Sequence, residues 1–229
     1  MITQLKQSGK FELAVLLAGM TFFCFGLSLC RFYFTGSLMY LFLNWNLFLA
    51  FIPWMVTTFI IISPNLHRRK LVLFGLLSVW LLFFPNAPYI LTDLFHLNLR
   101  NKAPIWFDTV LVLSFAWTGL AFGATSLMDI ENLLSKNFKW LSVKIIISVL
   151  LFIASFGIYL RMYLRWNSWD ILDEPLNLMY DIGDRIVNPF SYPRTWGMTI
   201  LYGVFLNMMY WTIKLIKEMK SSTPAPDSK

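Results

Sequence analysis

Two short spacings bring together the residues of this sequence best suited to chemistry. Asp93 and His96 stand three apart in Thr92-Asp93-Leu94-Phe95-His96, and Arg161 and Arg165 stand four apart in Arg161-Met162-Tyr163-Leu164-Arg165. Residues three or four apart share a helix face, so each pair would present its groups in one direction. A histidine beside a carboxylate suits general acid–base work, because imidazole titrates near neutrality. Two guanidiniums on one face suit capture of a phosphate or carboxylate. Asp108, in Trp106-Phe107-Asp108, and Asp170, in Trp166-Asn167-Ser168-Trp169-Asp170, add two more carboxylates. Asp93, His96 and Asp108 are therefore the catalytic candidates. Asn86, Tyr89, Thr92, Arg161, Arg165, Trp166, Asn167, Trp169 and Asp170 are the ligand-binding candidates.

The same residues also admit structural roles. Asp93 could cap a helix or pair with Arg161, His96 could simply sit at an interface, and Asp170, Asp173 and Glu174 could neutralise the arginines. Carboxylates with imidazole suit several divalent ions. However, no His-x-x-x-His occurs, and His67 falls on the opposite side in the topology below. No metal ligand is assigned, and the residues leave any cofactor unknown. There is no Gly-x-Ser-x-Gly, phosphate-binding glycine loop, dinucleotide fingerprint or Cys-x-x-Cys.

The elements that would carry these residues are membrane helices. Of 229 residues, 58% are hydrophobic and only 14% charged, far from the soluble balance of roughly a quarter charged. Apolar runs at 11–30, 47–62, 71–97, 105–128, 141–163 and 198–216 predict six spans of about 20 residues, all-α, in one bundle domain over 1–220. A polar, proline-containing tail is expected at 221–229. Cys24 and Cys30 share one run, about 9 Å apart along a helix and out of disulfide reach. With the N-terminus inside, twelve of the nineteen lysines and arginines fall on the cytoplasmic side. That predicts a multi-pass plasma-membrane protein with both termini cytoplasmic. The basic residues flank spans in ones, twos and threes, which fits topology and argues against nucleic acid as a partner.

The third run is the irregular one. It meets Pro85 after about 21 Å of helix, and Pro88 follows. Each proline removes an amide donor and disfavours helical geometry in the residue before it, so a break is expected toward the outer side, with Asn86 bonding the freed carbonyls. Non-helical backbone at that depth needs protein or a water-filled cavity around it. In the fourth run, Gly119-x-x-x-Gly123 suits close helix packing. After the fifth, Asp173-Glu174-Pro175 opens a short amphipathic outer helix, with Leu176, Met179, Ile182 and Ile186 on one face and Asn177, Asp181, Asp184 and Asn188 on the other.

Four strings, Phe84-Pro85-Asn86-Ala87-Pro88-Tyr89, Thr92-Asp93-Leu94-Phe95-His96-Leu97, Trp106-Phe107-Asp108 and Arg165-Trp166-Asn167-Ser168-Trp169-Asp170, resemble the domain-of-unknown-function 1361 family. The similarity runs from about the second span to the last. It implies a bacterial integral membrane protein and carries no activity or catalytic residue with it. The residues themselves leave three readings open: an outer-face site that binds or processes an amphiphile or lipid headgroup, a non-catalytic subunit of a membrane complex, and a small transporter built on the broken helix. The bilayer is the expected surrounding in each.

Overall fold

Six helices of the computed structural model are long and apolar enough to cross a membrane. The structure describes residues 2–63, 66, 69–97 and 103–222, with side chains from residue 3 to residue 219. The expected tail at 221–229 lies almost wholly outside the described residues, as do His67, Arg68, Arg100 and Lys102. A short α1 (Ile2–Gln7) precedes α2 (Phe11–Thr35) and α3 (Phe42–Ile62). The third span consists of α4 (Lys70–Phe83), α5 (Asn86–Tyr89) and a 3-10 turn over Ile90–His96. Then come α6 (Ile105–Leu134), α7 (Trp140–Tyr163), the short α8 (Asp170–Asp173), α9 (Pro175–Val187) and α10 (Pro193–Ser222). All regular structure among these residues is helical, and the chain is a polytopic helix bundle.

α6 is the central column. Two thirds of its apolar window is buried, against 17% for α2. It packs on α2, α3, α5, the 3-10 turn and α7, while α10 packs chiefly on α7. Three carboxylates on α6 fasten its neighbours. Asp108 takes both Nε (2.7 Å) and an Nη (3.2 Å) of Arg31 from α2, with both side chains buried. Asp129 pairs with Lys10 at the start of α2 and accepts from Thr57 on α3 at 2.8 Å. Glu131 pairs with Lys214 and accepts from Tyr210, both on α10, the latter at 2.6 Å. From Asp108 to Asp129 the helix rises about 31 Å, matching a hydrocarbon layer about 30 Å thick. The ion pairs therefore sit at the two borders of the apolar slab, where charge is least costly. Burial pushes the Lys10 ammonium down from its ordinary pKa, and the Asp129 carboxylate opposes that shift.

The third span breaks where the two prolines require, but its backbone stays right-handed. Phe84 lies at φ −55°, ψ −40° and Pro85 at φ −60°, ψ −22°, so the residue before Pro85 does not become extended. What changes is the hydrogen-bond ladder. The Ala87 amide reaches Phe84 O instead of Phe83 O, a three-residue step, and the Tyr89 amide returns to a four-residue step on Pro85 O before the 3-10 turn begins. Side chains take two of the carbonyls at the break. Asn86 Nδ2 donates to Phe83 O at 2.9 Å, as the sequence suggests, and Ser168 Oγ donates to Leu82 O at 3.1 Å.

Small residues let the broken segment come close. A β-carbon built on Gly119 would lie 3.0 Å from Ala87 O and 2.7 Å from Ile90 Cδ1, and one on Gly123 would lie 2.9 Å from Ala87 Cβ. On Gly157 of α7 it would lie 2.8 Å from Pro85 Cβ. The Gly119-x-x-x-Gly123 pair thus packs against α5 and the turn after it, the close approach such spacing allows. Gly157→Leu is expected to destabilise the bundle by roughly 1–3 kcal/mol through overpacking at Pro85. Gly183→Ala, on open α9 surface, is expected to be neutral or stabilising by up to about 1 kcal/mol. Thermal unfolding in detergent checks both.

Candidate functional site

The break fixes Asn86, and Asn86 begins a buried polar chain that links three spans. Arg161, near the end of α7, donates through Nη1 to Asn86 Oδ1 and through Nη2 to Asn46 Oδ1 at 2.7 Å. The amide of Asn46, near the start of α3, then donates to Asp93 Oδ2 at 3.0 Å. Asn86 also donates to Ser168 Oγ at 3.0 Å, tying in the loop after α7. Tyr89 places its ring 4.2 Å from the Arg161 guanidinium carbon, a cation–π distance. Thr92 donates to Tyr89 O at 2.7 Å and holds the turn. Asp93 is 1% exposed, Asn86 and Thr92 3%, and Asn46 5%. Asp93 is the acidic member of the chain and balances Arg161 through a shared amide.

Not every candidate joins this cluster. His96 is exposed at the end of the 3-10 turn; its ring meets Phe42 edge-on at 5.6 Å and its carbonyl accepts from Tyr40 at 3.0 Å. Asp93 points into the bundle, so the two do not form the acid–base pair their spacing suggests. Asp108 is held by Arg31, whose guanidinium carbon also lies 4.5 Å from the Tyr40 ring. Asp170 Oδ2 accepts from the Asn167 amide at 2.7 Å and closes the turn after α7. Trp169 is half exposed and packs at 6.4 Å from Trp45. Among the described residues, no group of three or more His, Cys, Asp or Glu side chains could hold a metal ion.

Arg165 is the unusual member. It is exposed and stands at φ +60°, the left-handed position that ends α7. The Trp166 amide closes that end on Leu160 O at 3.2 Å. Glycine ordinarily fills this position, and an L residue there costs roughly 1–2 kcal/mol.

A groove of about 510 Å³ leads to Asn86 and Arg161, and Arg165 stands outside its lining, next in the chain to the lining residue Trp166. Its length is walled by Leu81 on α4, Ile153 and Phe156 on α7, and Leu178, Ile182 and Ile186 on α9. Its end is polar, formed by Asn86, Arg161, Trp166, Asn167 and Ser168. α9 forms the outer wall and is held by polar links. Trp166 Nε1 donates to Asp181 at 2.8 Å, Arg185 bonds Asp181, and Trp196 Nε1 donates to Arg185 O at 3.1 Å. Hydrogen bonds from Tyr192 and Asn188 hold the Asp184 carboxyl below its ordinary range. The apolar face read from the α9 sequence is therefore divided: Ile182 and Ile186 line the groove, Ile186 remaining largely exposed, whereas Leu176 and Met179 lie outside it and are exposed.

Asn46 and Ser168 are the central residues that the sequence reading overlooked as functional. Asn46 lay outside the second run as drawn from 47, but α3 begins at Phe42. A carboxamide in an otherwise apolar stretch beside Trp45 was the available signal.

A family model described as a protein of unknown function, DUF1361, matches residues 45–209. No curated protein and no solved structure matches the chain. The chain belongs to that family. The matched stretch contains all of Asn46, Asn86, Tyr89, Asp93, Arg161, Arg165 and Ser168. The three α6 ion pairs differ, since Arg31, Lys10 and Lys214 lie outside it. Asn46→Leu is expected to lower stability by roughly 1–3 kcal/mol, because it leaves Asp93 and Arg161 without their bridge. His96→Ala should stay within about 0.5 kcal/mol of the parent. Unfolding midpoints of the two variants provide the comparison.

Proposed function

We propose that this member of the DUF1361 family binds the anionic headgroup of an amphiphile at the outer face of a bacterial plasma membrane, both termini lying in the cytoplasm. The observation that carries this reading is the lengthwise change in the groove beneath α9, apolar along its walls and polar at the Asn86–Arg161–Ser168 end. A chain lies in the apolar part, and the headgroup reaches the polar corner. Arg161 is already engaged by Asn46 and Asn86, so it shapes the corner. Arg165, exposed next to Trp166, supplies the guanidinium that meets the phosphate or carboxylate. Its left-handed backbone supports this role, since strained positions persist where a side chain is needed. Binding is favoured over chemistry, because His96 and Asp108 stand apart from Asp93.

The exposed apolar surface around α9 favours a second reading, a non-catalytic subunit that docks another membrane protein. Phe190 is 97% exposed and Leu172 83%. A transporter draws less support, since α10 runs unbroken from Pro193 to Ser222.

Lipid mass spectrometry of the protein extracted with its own membrane in polymer-bounded discs tests the proposal. An anionic amphiphile enriched over the bulk membrane is expected with the parent, and about tenfold less of it with Arg165→Gly. Glycine relieves φ +60°, so the variant's unfolding midpoint should be unchanged or higher. Lipid profiles equal to the bulk membrane in both proteins would overturn the binding reading. A co-purifying membrane protein retained in Arg165→Gly would favour the subunit reading instead.

A further inference from the structure

A hollow of about 330 Å³ opens at the other end of the bundle and shares no lining residue with the groove beneath α9. Three lysines reach it from three elements: Lys10 at the start of α2, Lys136 in the turn after α6, and Lys217 near the end of α10. Among the described residues its one carboxylate is Asp129, which is already committed to Lys10 and Thr57. Lys136 and Lys217 are exposed and pair with no carboxylate among the described residues. Three ammoniums against one carboxylate leave two positive charges unmatched around the hollow. Lys10 adds a second observation. Its side chain is only 10% exposed, and of the three N–H groups an ammonium carries it uses one on Asp129 and one on Thr58 Oγ1 at 3.3 Å. The third has no partner among the described residues, in a wall of the hollow. Burial lowers the Lys10 pKa, Asp129 opposes that shift, and the charge of Lys217 adds to it, so the two ammoniums repel each other. Lysines that only fixed membrane topology could stand anywhere along this border, whereas these converge on one space.

We infer that this hollow binds a phosphate monoester, its phosphate held between Lys136 and Lys217 with one oxygen accepting the third N–H of Lys10. Near neutral pH such a group carries a charge of about −1.5 to −2, which answers the two unmatched ammoniums, whereas a phosphodiester brings a single charge. Lysine meets phosphate as a point charge with rotatable donors, and an anion between Lys10 and Lys217 turns their repulsion into attraction. Leu13, Ile61 and Leu133 complete the lining and suit the glycerol and first acyl carbons of a lipid bearing that headgroup. A soluble phosphate monoester offers the lysines the same chemistry. The site is independent of the headgroup reading above, since it uses other residues at the other end of the bundle.

The test uses the full chain in detergent, with bound ligand counted by native mass spectrometry. The probes are dioleoyl phosphatidic acid, a monoester, dioleoyl phosphatidylglycerol, a diester, and glycerophosphate, a soluble monoester. Phosphatidic acid is expected to bind about tenfold more tightly than phosphatidylglycerol, and Lys136→Gln with Lys217→Gln should together abolish that preference. Both lysines are exposed, so the double variant should keep the parent's unfolding midpoint. Lys139→Gln, exposed in the same loop as Lys136 but outside the lining, and Arg165→Gly at the α9 end should leave the preference intact. Displacement of phosphatidic acid by glycerophosphate at comparable concentration assigns the site to soluble monoesters, and retention of the lipid assigns it to the membrane. Equal binding of the two lipids by the parent, or a preference that survives in the double lysine variant, would overturn the inference. An equal loss with Lys139→Gln would overturn it as well, by giving the effect to general surface charge.

Discussion

Unpaired carbonyls cannot be left facing lipid, and that constraint governs the third span. Pro85 and Pro88 withhold two amides in the middle of a membrane helix, and each orphaned acceptor in hydrocarbon would cost several kcal/mol. The ladder shifts so that the Ala87 amide serves Phe84 O, the acceptor Pro88 cannot reach, and side chains serve the carbonyls just before it, Asn86 for Phe83 O and Ser168 for Leu82 O. Both side-chain bonds require the broken segment to lie tightly against α6 and α7, where Gly119, Gly123 and Gly157 remove the β-carbons that would hold it off. Once Asn86 is fixed, its remaining oxygen faces Arg161. A buried guanidinium in turn needs acceptors and a counter-charge, which Asn46 and Asp93 supply. The polar corner of the α9 groove is thus a consequence of how the break is covered.

The remaining buried charges have a different logic. Each of the three α6 carboxylates has a cation on another helix, and the pairs stand near the borders of the apolar slab. They fasten α2 and α10 to the central column. Arg161, at the end of a groove large enough for a ligand, is instead linked through an amide to Asp93, which lies behind it in the bundle. A merely fastening pair would gain most from direct contact, whereas an amide-bridged pair holds its groups apart and orients them.

Much of this was readable in the sequence, because it follows from composition and local chemistry. Six apolar runs, two prolines, the Gly119-x-x-x-Gly123 spacing and the acids before Pro175 each act through neighbours in the chain, and each has its structural counterpart. The pairing of side chains was not readable in the same way. Asp93 and His96 share a spacing but not a destination, since the 3-10 turn ends at His96 and leaves it exposed. Asp108 looked like a member of the site, yet Arg31 is within 2.7 Å of it, from a helix far away in the chain. Asn46 fell just outside the second apolar run because its polarity moves the apparent start of the span to 47. Burial against Arg161 makes that polarity an asset.

The central claim is that Asp93 and Arg161 form one electrostatic unit through Asn46. A double-mutant cycle on unfolding free energy, with Asp93→Asn, Arg161→Gln and the double variant, tests it most directly. The account expects each single change to be costly, because it strands a buried charge, and the double variant to cost less than their sum by more than about 1 kcal/mol. Strict additivity of the two changes would contradict it and leave Asp93 and Arg161 as neighbours without a shared role.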